Sequence, residues 1–147
     1  MTQLEPLFAE FVMLYLRVTR LFNRRMAEQG ASLARTRLLL ALQRTKLKRS
    51  TELAEFYALA PRTITEAIDG LEREGLVERK PDPNDRRAKL ITVTPEGECA
   101  AKRTEPLRLA MIEQYFGVLE PEECEQLLYL LKKIGDNLED CDPIKER

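Results

Sequence analysis

The sequence contains no histidine, and its six glycines occur singly rather than in a loop. Because histidine is the commonest general base and metal ligand, its absence excludes Ser-His and Cys-His catalytic pairs and disfavours a metal-sensing protein. The missing glycine-rich loop excludes the usual phosphate cradle. An enzyme that works through carboxylates or a lysine remains an alternative, but no motif indicates one. We therefore expect no enzymatic activity, no cofactor and no metal site.

Cysteine is scarce and widely spaced. Cys99, Cys124 and Cys141 are an odd number, with neither a disulfide pattern nor the paired spacing of a zinc site. Plain thiols in a reducing cytosol are the simplest interpretation. A redox-sensing thiol is the alternative, although Cys99 and Cys124 stand among glutamates, which oppose thiolate formation.

Long apolar runs are also absent. The longest, LLLAL at 38–42, is far shorter than the ~18 residues of a membrane-spanning helix. The N-terminus has no basic region followed by an apolar block, so we predict no signal peptide. With 147 residues, 44% hydrophobic and 33% charged, the composition is typical of one globular domain. We expect a cytoplasmic protein with no membrane partner.

The charge is distributed unevenly along the chain. Its net value is −1, but residues 35–90 carry a net +4 and residues 91–147 a net −6. A basic middle beside an acidic C-terminal part indicates that only the middle faces a negatively charged partner.

Apolar residues at steps of three and four predict helices over 4–28, 34–45 and 119–140. Two shorter helices, 51–59 and 61–76, are joined by a turn of about three residues. This arrangement is typical of a helix-turn-helix, whose second helix reads base edges in the major groove of DNA.

Local signals support these boundaries. Ser50 or Thr51 is predicted to cap the first short helix, and Pro61 suits the first position of the second because its missing N–H costs nothing there. Thr94 is a similar start signal before Pro95, predicting a helix over 95–118 that bends at Pro106.

A β-hairpin is predicted directly after the second short helix. Its strands are the β-like runs 76–80 and 88–94, and its tip is the turn-forming stretch PDPNDRR at 81–87. Taken alone, such a charged hairpin is more often a solvated turn than a DNA probe. Its position after the candidate recognition helix, in the most basic part of the chain, favours DNA binding.

Three groups of residues are candidate DNA contacts. Exposed residues in the first turn and a half of the second short helix form the recognition group, namely Pro61, Arg62, Thr63, Thr65 and Glu66. At the wing, Arg86 and Arg87 suit the negative potential of a narrow minor groove, and Asp85 is predicted to orient one guanidinium by a charge-assisted hydrogen bond. The basic connector at 46–50 supplies three backbone-contact candidates, Lys48, Arg49 and Ser50.

The segment from "TELAEFYALA" to "ITVTPEG" (51–97) resembles the MarR family of bacterial winged-helix regulators. The match is most specific at "DRRAKLITVTPEG". There Asp85 and Arg87 correspond to the family's Asp-x-Arg wing pair, and Thr94 and Gly97 to its Thr-x-x-Gly turn into the next helix.

This resemblance implies a mainly α fold with a small β-hairpin wing. A winged helix-turn-helix region at 34–97 would be flanked by dimerisation helices at 1–30 and 98–141, within a single domain covering 1–147. It implies a homodimer bound to a pseudo-palindromic operator on double-stranded DNA, with half-sites ~10 bp apart. A protein-interaction module that uses a winged fold without DNA is the competing hypothesis.

The resemblance also implies a repressor that a small phenolic or anionic effector releases from DNA. Phe11, Tyr15 and Tyr115 are candidates for lining the effector cleft, although packing in the core is the commoner role for such residues.

Three positions depart from the family pattern. Ala58 stands where the turn often holds glycine, and Ala60 replaces the usual hydroxyl cap before Pro61. Glu66 replaces a basic or polar residue, and its carboxylate is able to accept a hydrogen bond from a cytosine amino group.

Overall fold

The computed structural model describes residues 3–46 and 48–141. Residues 1–2 and 142–147 of the predicted domain, and Leu47 of the basic connector, lie outside the described residues. The mainly helical fold with one antiparallel hairpin, predicted from the sequence, is confirmed. Its elements in chain order are α1 (Leu4–Glu28), α2 (Leu33–Arg44), α3 (Ser50–Tyr57), α4 (Pro61–Arg73), β1 (Val77–Asp82), β2 (Asp85–Val93), α5 (Pro95–Arg103), α6 (Glu105–Phe116) and α7 (Pro121–Cys141).

The main core is built around α2. This helix is apolar around most of its circumference because neighbours cover it on several sides. Helices α3, α4 and α5 and the hairpin each contribute one apolar face. The buried side chains are Leu38, Leu39, Ala41, Leu42, Leu53, Ala54, Ile64, Ile68, Leu71, Val77, Ile91 and Ala101.

A second, smaller cluster joins the long first helix to the rest of the chain. Met26 near the end of α1, Leu33 at the start of α2 and Met111 in α6 are buried together. Phe22 and Tyr115 pack beside them, with their rings edge to face. This cluster fixes the C-terminal half of α1 against α6.

The outer helices leave large apolar side chains exposed in the single chain. No residue of α7 is buried, and the N-terminal half of α1 is equally uncovered. On α7 the exposed apolar residues are Leu127, Leu128, Tyr129, Leu130, Leu131, Ile134 and Leu138. Contiguous apolar surface of this extent is typical of a protein interface. Among the described residues, none of the helices has the length and hydropathy required to cross a bilayer.

The hairpin is longer than predicted. Asp82 pairs with Asp85, so the turn consists of Pro83 and Asn84 alone, and the seven-residue tip predicted at 81–87 is wrong. The sheet consists of these two strands, so β1 is an edge strand and tolerates Pro81, which has no N–H to donate to the ladder.

Several helix boundaries also differ from prediction: α3 ends at Tyr57 rather than 59, and α4 ends at Arg73 rather than 76. The predicted helix over 95–118 is broken rather than bent: α5 ends at Arg103 and α6 begins at Glu105, with Pro106 in its first turn. At α3 the N-cap is Arg49, so neither Ser50 nor Thr51 caps that helix. The Glu52 carboxylate accepts the backbone N–H of Arg49 at 3.0 Å instead.

Candidate nucleic-acid interface

The turn between α3 and α4 contains a strained residue. Ala58 adopts φ 51° and ψ 42°, the left-handed region that favours glycine. Its N–H donates to the Glu55 carbonyl oxygen at 3.1 Å, which closes the end of α3. The positive φ of Ala58 explains why the family's turn often holds glycine at this position. Ala60, the N-cap of α4, provides no side-chain hydrogen bond.

The predicted recognition residues all lie exposed on α4. Because successive helical residues turn by about 100°, Arg62, Glu66 and Asp69 share the face directly opposite the buried Ile64 and Ile68. Arg62 Nε donates to Glu66 Oε1 at 3.1 Å, and both side chains are open to solvent. The negative charge of Glu66 is therefore balanced within the helix surface itself.

The two threonines occupy opposite flanks of that face. Thr65 donates its hydroxyl proton to the Pro61 carbonyl oxygen at 2.9 Å, which leaves its own oxygen as an acceptor. Thr63 lies on the flank toward α2, where it lines an apolar cavity of about 110 Å³ together with Leu38 and Tyr57. Thr65 thus lies on the side of Pro61, and Thr63 lies on the side of α2.

At the wing, Asp85 does not play its predicted role. Its carboxylate accepts the backbone N–H of Arg87 at 3.0 Å, and among the described residues no hydrogen bond or ion pair joins it to a neighbouring guanidinium. Asp85 therefore shapes the backbone of the turn. Arg86 and Arg87 are exposed neighbours on β2, and because side chains alternate along a strand they project from opposite faces.

An ion pair between Arg49 and Asp82 was not anticipated. The Arg49 guanidinium donates to the Asp82 carboxylate, which is only 5% exposed. The N–H of Asn84 donates to the same carboxylate at 2.9 Å and, with the Arg49 guanidinium, holds the pKa of Asp82 below its ordinary value. Arg49 was predicted to contact the DNA backbone, but its guanidinium is engaged with the wing.

The rest of the connector is also engaged with the protein. Lys48 Nζ donates to the Leu42 carbonyl oxygen at 2.6 Å, and the Lys48 carbonyl accepts the Ile91 N–H at 2.7 Å. Ser50, the third backbone-contact candidate, is the first residue of α3 and is partly buried. The connector thus fastens the start of α3 to β2 and to the end of α2.

A second unanticipated arginine braces the base of the wing. Arg79 of β1 donates to Glu72 at 2.8 Å and to Asp69 at 2.5 Å, both on α4. Burial lowers the pKa of Arg79, but the bonds to the two carboxylates outweigh it and raise the pKa overall. No sequence pattern identified the ion pairs of Arg49 and Arg79. Each arginine meets partners on other elements, and the spacing within one helix or strand does not reveal such pairs.

Thr94 and Gly97 connect the wing to α5. Thr94 is buried, donates its hydroxyl proton to the Gly75 carbonyl oxygen at 2.6 Å and accepts the Gly97 N–H at 3.1 Å. This confirms the predicted hydroxyl cap at the start of α5.

The predicted effector residues are not brought together in the single chain. Phe11 and Tyr15 are about half exposed on the outer part of α1. Tyr115 packs on Phe22, two helical turns further along, with ring centroids 5.6 Å apart. A cleft of about 440 Å³ lies elsewhere, between the end of α1, the start of α2, the end of α4 and the α5–α6 junction. Its polar lining includes Gln29, Ser32, Arg35, Thr36, Glu74, Arg103 and Thr104.

The cysteines and acidic residues form no further site in the part of the chain that the structure describes. Cys99, Cys124 and Cys141 are free and exposed. No group of three or more cysteine or carboxylate side chains among those residues is arranged to hold a metal ion.

Two helices joined by a tight turn, followed at once by a hairpin braced against the second helix, define a winged helix-turn-helix protein. The MarR family model matches residues 32–89, which run from the N-cap of α2 into β2. Over these residues the chain is similar to the MarR family.

Individual relatives agree with this similarity. The uncharacterized HTH-type transcriptional regulator YkoM of Bacillus subtilis is 38% identical over 72 residues, covering 49% of this chain and 47% of YkoM. The HTH-type transcriptional repressor MdtR of the same species is 27% identical over 78% of this chain and 74% of MdtR. The match thus spans about half the length of the first relative and about three quarters of the second.

The fold is also that of a solved family member. The structure of mutant MarR from Escherichia coli, complexed with operator DNA, superposes with a TM-score of 0.73 and 25% identity, covering 88% of this chain and 93% of that one.

Proposed function

We propose that the chain is a sequence-specific regulator of transcription that binds double-stranded DNA and has no enzymatic activity. We propose further that it is a repressor. The observation that carries this proposal is the exposed outward face of α4, with Arg62, Thr65 and Glu66, followed by a braced wing that presents Arg86 and Arg87. The complex of MarR with operator DNA and the repressor MdtR support it. Such a regulator acts where the chromosome is, in the cytoplasm.

The regulator acts as a homodimer. The exposed apolar residues of α1 and α7 have no covering element within the chain, and a second copy supplies an identical apolar surface. Two-fold symmetry then repeats α4 about one DNA turn away, so the operator is a pseudo-palindrome with half-sites ~10 bp apart.

The test is selection of binding sites from random duplex DNA, followed by titration of the selected duplex at several salt concentrations. A DNA reader yields an inverted repeat and loses affinity steeply between low and moderate salt, because counterions are released when lysines and arginines meet phosphates. A winged fold that binds only proteins selects no sequence. Either the absence of binding or salt-independent binding contradicts the proposal.

Variants separate the two kinds of DNA contact. Arg87→Ala weakens binding to every sequence, whereas Arg62→Ala changes the preferred base at one position of each half-site. Lys132→Ala on α7 removes a positive charge away from this surface and serves as the control. Tight binding by the Arg87 variant contradicts the wing contact.

We further propose that a small phenolic or anionic effector releases the DNA. The cleft between α1, α2, α4 and the α5–α6 junction supports this, because it connects the long helices to the winged region and contains Arg103 beside the Arg35–Glu74 ion pair. An effector shifts the equilibrium only if it prefers the conformation that does not bind DNA. Screening phenolic carboxylates by thermal shift and by DNA release tests it, with Arg103→Ala as the variant that loses the response.

A further inference from the structure

The connector before α3 is fastened to the wing at two points. The Ile91 N–H of β2 donates to the Lys48 carbonyl oxygen at 2.7 Å, and the Arg49 guanidinium reaches across to Asp82 at the end of β1. Arg49 is also the N-cap of α3. Its backbone is therefore part of the helix-turn-helix, and its side chain contacts the wing.

Asp82 is the residue at which the wing turns. It directly precedes Pro83 and Asn84, and its carboxylate accepts the Asn84 N–H at 2.9 Å. Because this side chain is only 5% exposed, its second partner, Arg49, is needed to balance the buried charge. The same carboxylate therefore shapes the turn and joins it to α3.

The brace at the base of the wing does not extend to its tip. Arg79, which binds Asp69 and Glu72 of α4, pairs with Ile91 in the ladder, several residues from the turn. Arg86 and Arg87 lie beyond that point, next to the turn that Asp82 controls. The direction of the wing arginines thus depends on the Arg49–Asp82 pair more than on the Arg79 brace.

We propose that Arg49 and Asp82 are a positioning pair, which aims the wing so that Arg87 meets DNA, and that Arg49 is not itself a phosphate contact. This inference rests on the proposed function in DNA binding. Arg49 keeps 38% of its side chain exposed, so the opposing account is a direct phosphate contact by its guanidinium.

Removal of the Asp82 charge separates the two accounts. If Arg49 contacts phosphate directly, Asp82→Asn removes a negative charge that holds its guanidinium away from DNA, and binding becomes tighter. If the pair positions the wing, the same change weakens binding even though the protein becomes more positive.

The experiment measures the dissociation constant and its salt dependence for the full-length protein on its selected duplex. The variants are Asp82→Asn, Arg49→Gln and Arg87→Ala, alone and combined. Glu78→Gln is the matched control, because Glu78 is an exposed carboxylate on β1 whose ion-pair partner, Lys80, is exposed on the same strand. Thermal unfolding of each variant shows whether it folds. If Asp82→Asn does not fold, Arg49→Gln decides, since its side chain is partly exposed.

The positioning account predicts that Asp82→Asn and Arg49→Gln each weaken binding by the same factor as Arg87→Ala, because each displaces that one wing contact. Both reduce the slope of log K against log salt concentration by the same amount, that of about one phosphate contact, because both displace Arg87. In the Arg87→Ala background neither change weakens binding further, since coupled residues are not additive. Glu78→Gln binds as the parent does, or slightly tighter.

Three results overturn the inference. The first is that Asp82→Asn binds DNA as tightly as the parent or tighter. The second is that Arg49→Gln lowers the salt slope and Asp82→Asn does not. The third is that Arg49→Gln weakens binding further in the Arg87→Ala background. A parent protein that binds no DNA instead contradicts the proposed function, so the two failures are distinguishable.

Discussion

Gly97, at the start of α5, lies directly against the backbone carbonyl of Leu76. A Cβ atom built on Gly97 would stand 2.0 Å from the Leu76 oxygen and 2.7 Å from Val93 Cγ1. The carbonyl is not free to move aside, because it also accepts the Thr94 N–H at 3.1 Å. The close approach of α5 to the base of the wing thus requires glycine at this position.

Gly97→Ala is therefore expected to lower the free energy of unfolding by about 3 kcal/mol or more, since an added methyl group in a packed site forces backbone shifts. Urea denaturation measures the change. Gly70→Ala is the control, because its Cβ would meet only Arg35 Nη2, at an ordinary 3.9 Å. Alanine is the better helix former, so this control is expected to gain up to ~1 kcal/mol. Equal effects of the two changes would contradict the packing argument.

The sequence predicted what depends on local spacing. Apolar residues at steps of three and four located α1 to within a residue at each end. A threonine followed by a proline located the start of α5, with Thr94 as the N-cap. Ala58 was identified as a departure because the family that the sequence resembles often has glycine at this position of the turn.

Contacts between distant segments could not be predicted in the same way. Arg49 and Asp82 are 33 residues apart, and only the folded chain brings them together. The carboxylate of Asp85 was assigned to a guanidinium from its charge, whereas a tight two-residue turn places the Arg87 N–H closer. The basic character of residues 35–90 was likewise read as a surface for a partner, although Arg35, Arg49 and Arg79 are used in ion pairs within the chain.

Replacement of the two alanines of the α3–α4 turn is expected to stabilise the protein. Ala58→Gly relieves a left-handed conformation that costs roughly 1–2 kcal/mol, part of which is offset by the greater flexibility of glycine when unfolded, for a net gain of about 0.5–1 kcal/mol. Ala60→Ser supplies the missing N-cap hydrogen bond of α4, a gain of about 1 kcal/mol.

Thermal and urea unfolding of each variant and of the double variant measure these gains. Ala101→Gly is the contrasting control, because Ala101 is buried and helical in α5 and its replacement is expected to destabilise. A decrease in stability for Ala58→Gly would show that the strain at this residue is negligible.

Stability is expected to fall at acidic pH through two carboxylates. The Asn84 N–H and the Arg49 guanidinium lower the pKa of Asp82 below its ordinary 3.8, and the Arg35 guanidinium lowers the pKa of Glu74 below 4.5. A carboxylate with a lower pKa when folded stabilises the protein above its unfolded pKa, and this contribution is lost as the pH falls through the folded pKa. The decrease should therefore begin near pH 4.5 and continue below 3.8.

The difference in unfolding free energy between the parent and Asp82→Asn measures the Asp82 part of this effect. It should be largest near neutral pH and shrink as the pH falls below the ordinary 3.8 toward the lowered pKa of the folded protein, because the parent then takes up a proton and its side chain becomes neutral. Urea denaturation across this range makes the comparison, with Glu78→Gln as an exposed control. A difference that does not change with pH would exclude the ion pair as its source.

The apolar stripe of α7 provides the test of the dimer. Leu127, Leu131, Ile134 and Leu138 recur at steps of three and four along one face of the helix, and 37–59% of each residue is exposed in the single chain. Burial of this stripe against a second copy is favourable by roughly 25 cal/mol for each Å² of apolar surface removed from water. The parent should therefore have twice the 17.0 kDa chain mass at micromolar concentration.

Ile134→Asp is expected to shift the protein to the monomeric mass in light scattering, because a carboxylate buried at an apolar interface without a partner is costly. Tyr129→Asp is the matched control on the same helix. Tyr129 is more exposed, at 63%, and lies on the opposite face beside Lys132 and Lys133, so this variant should remain dimeric. If both variants keep the dimeric mass, α7 does not form the interface. If both become monomeric, the dimer interface is not specific to this apolar stripe.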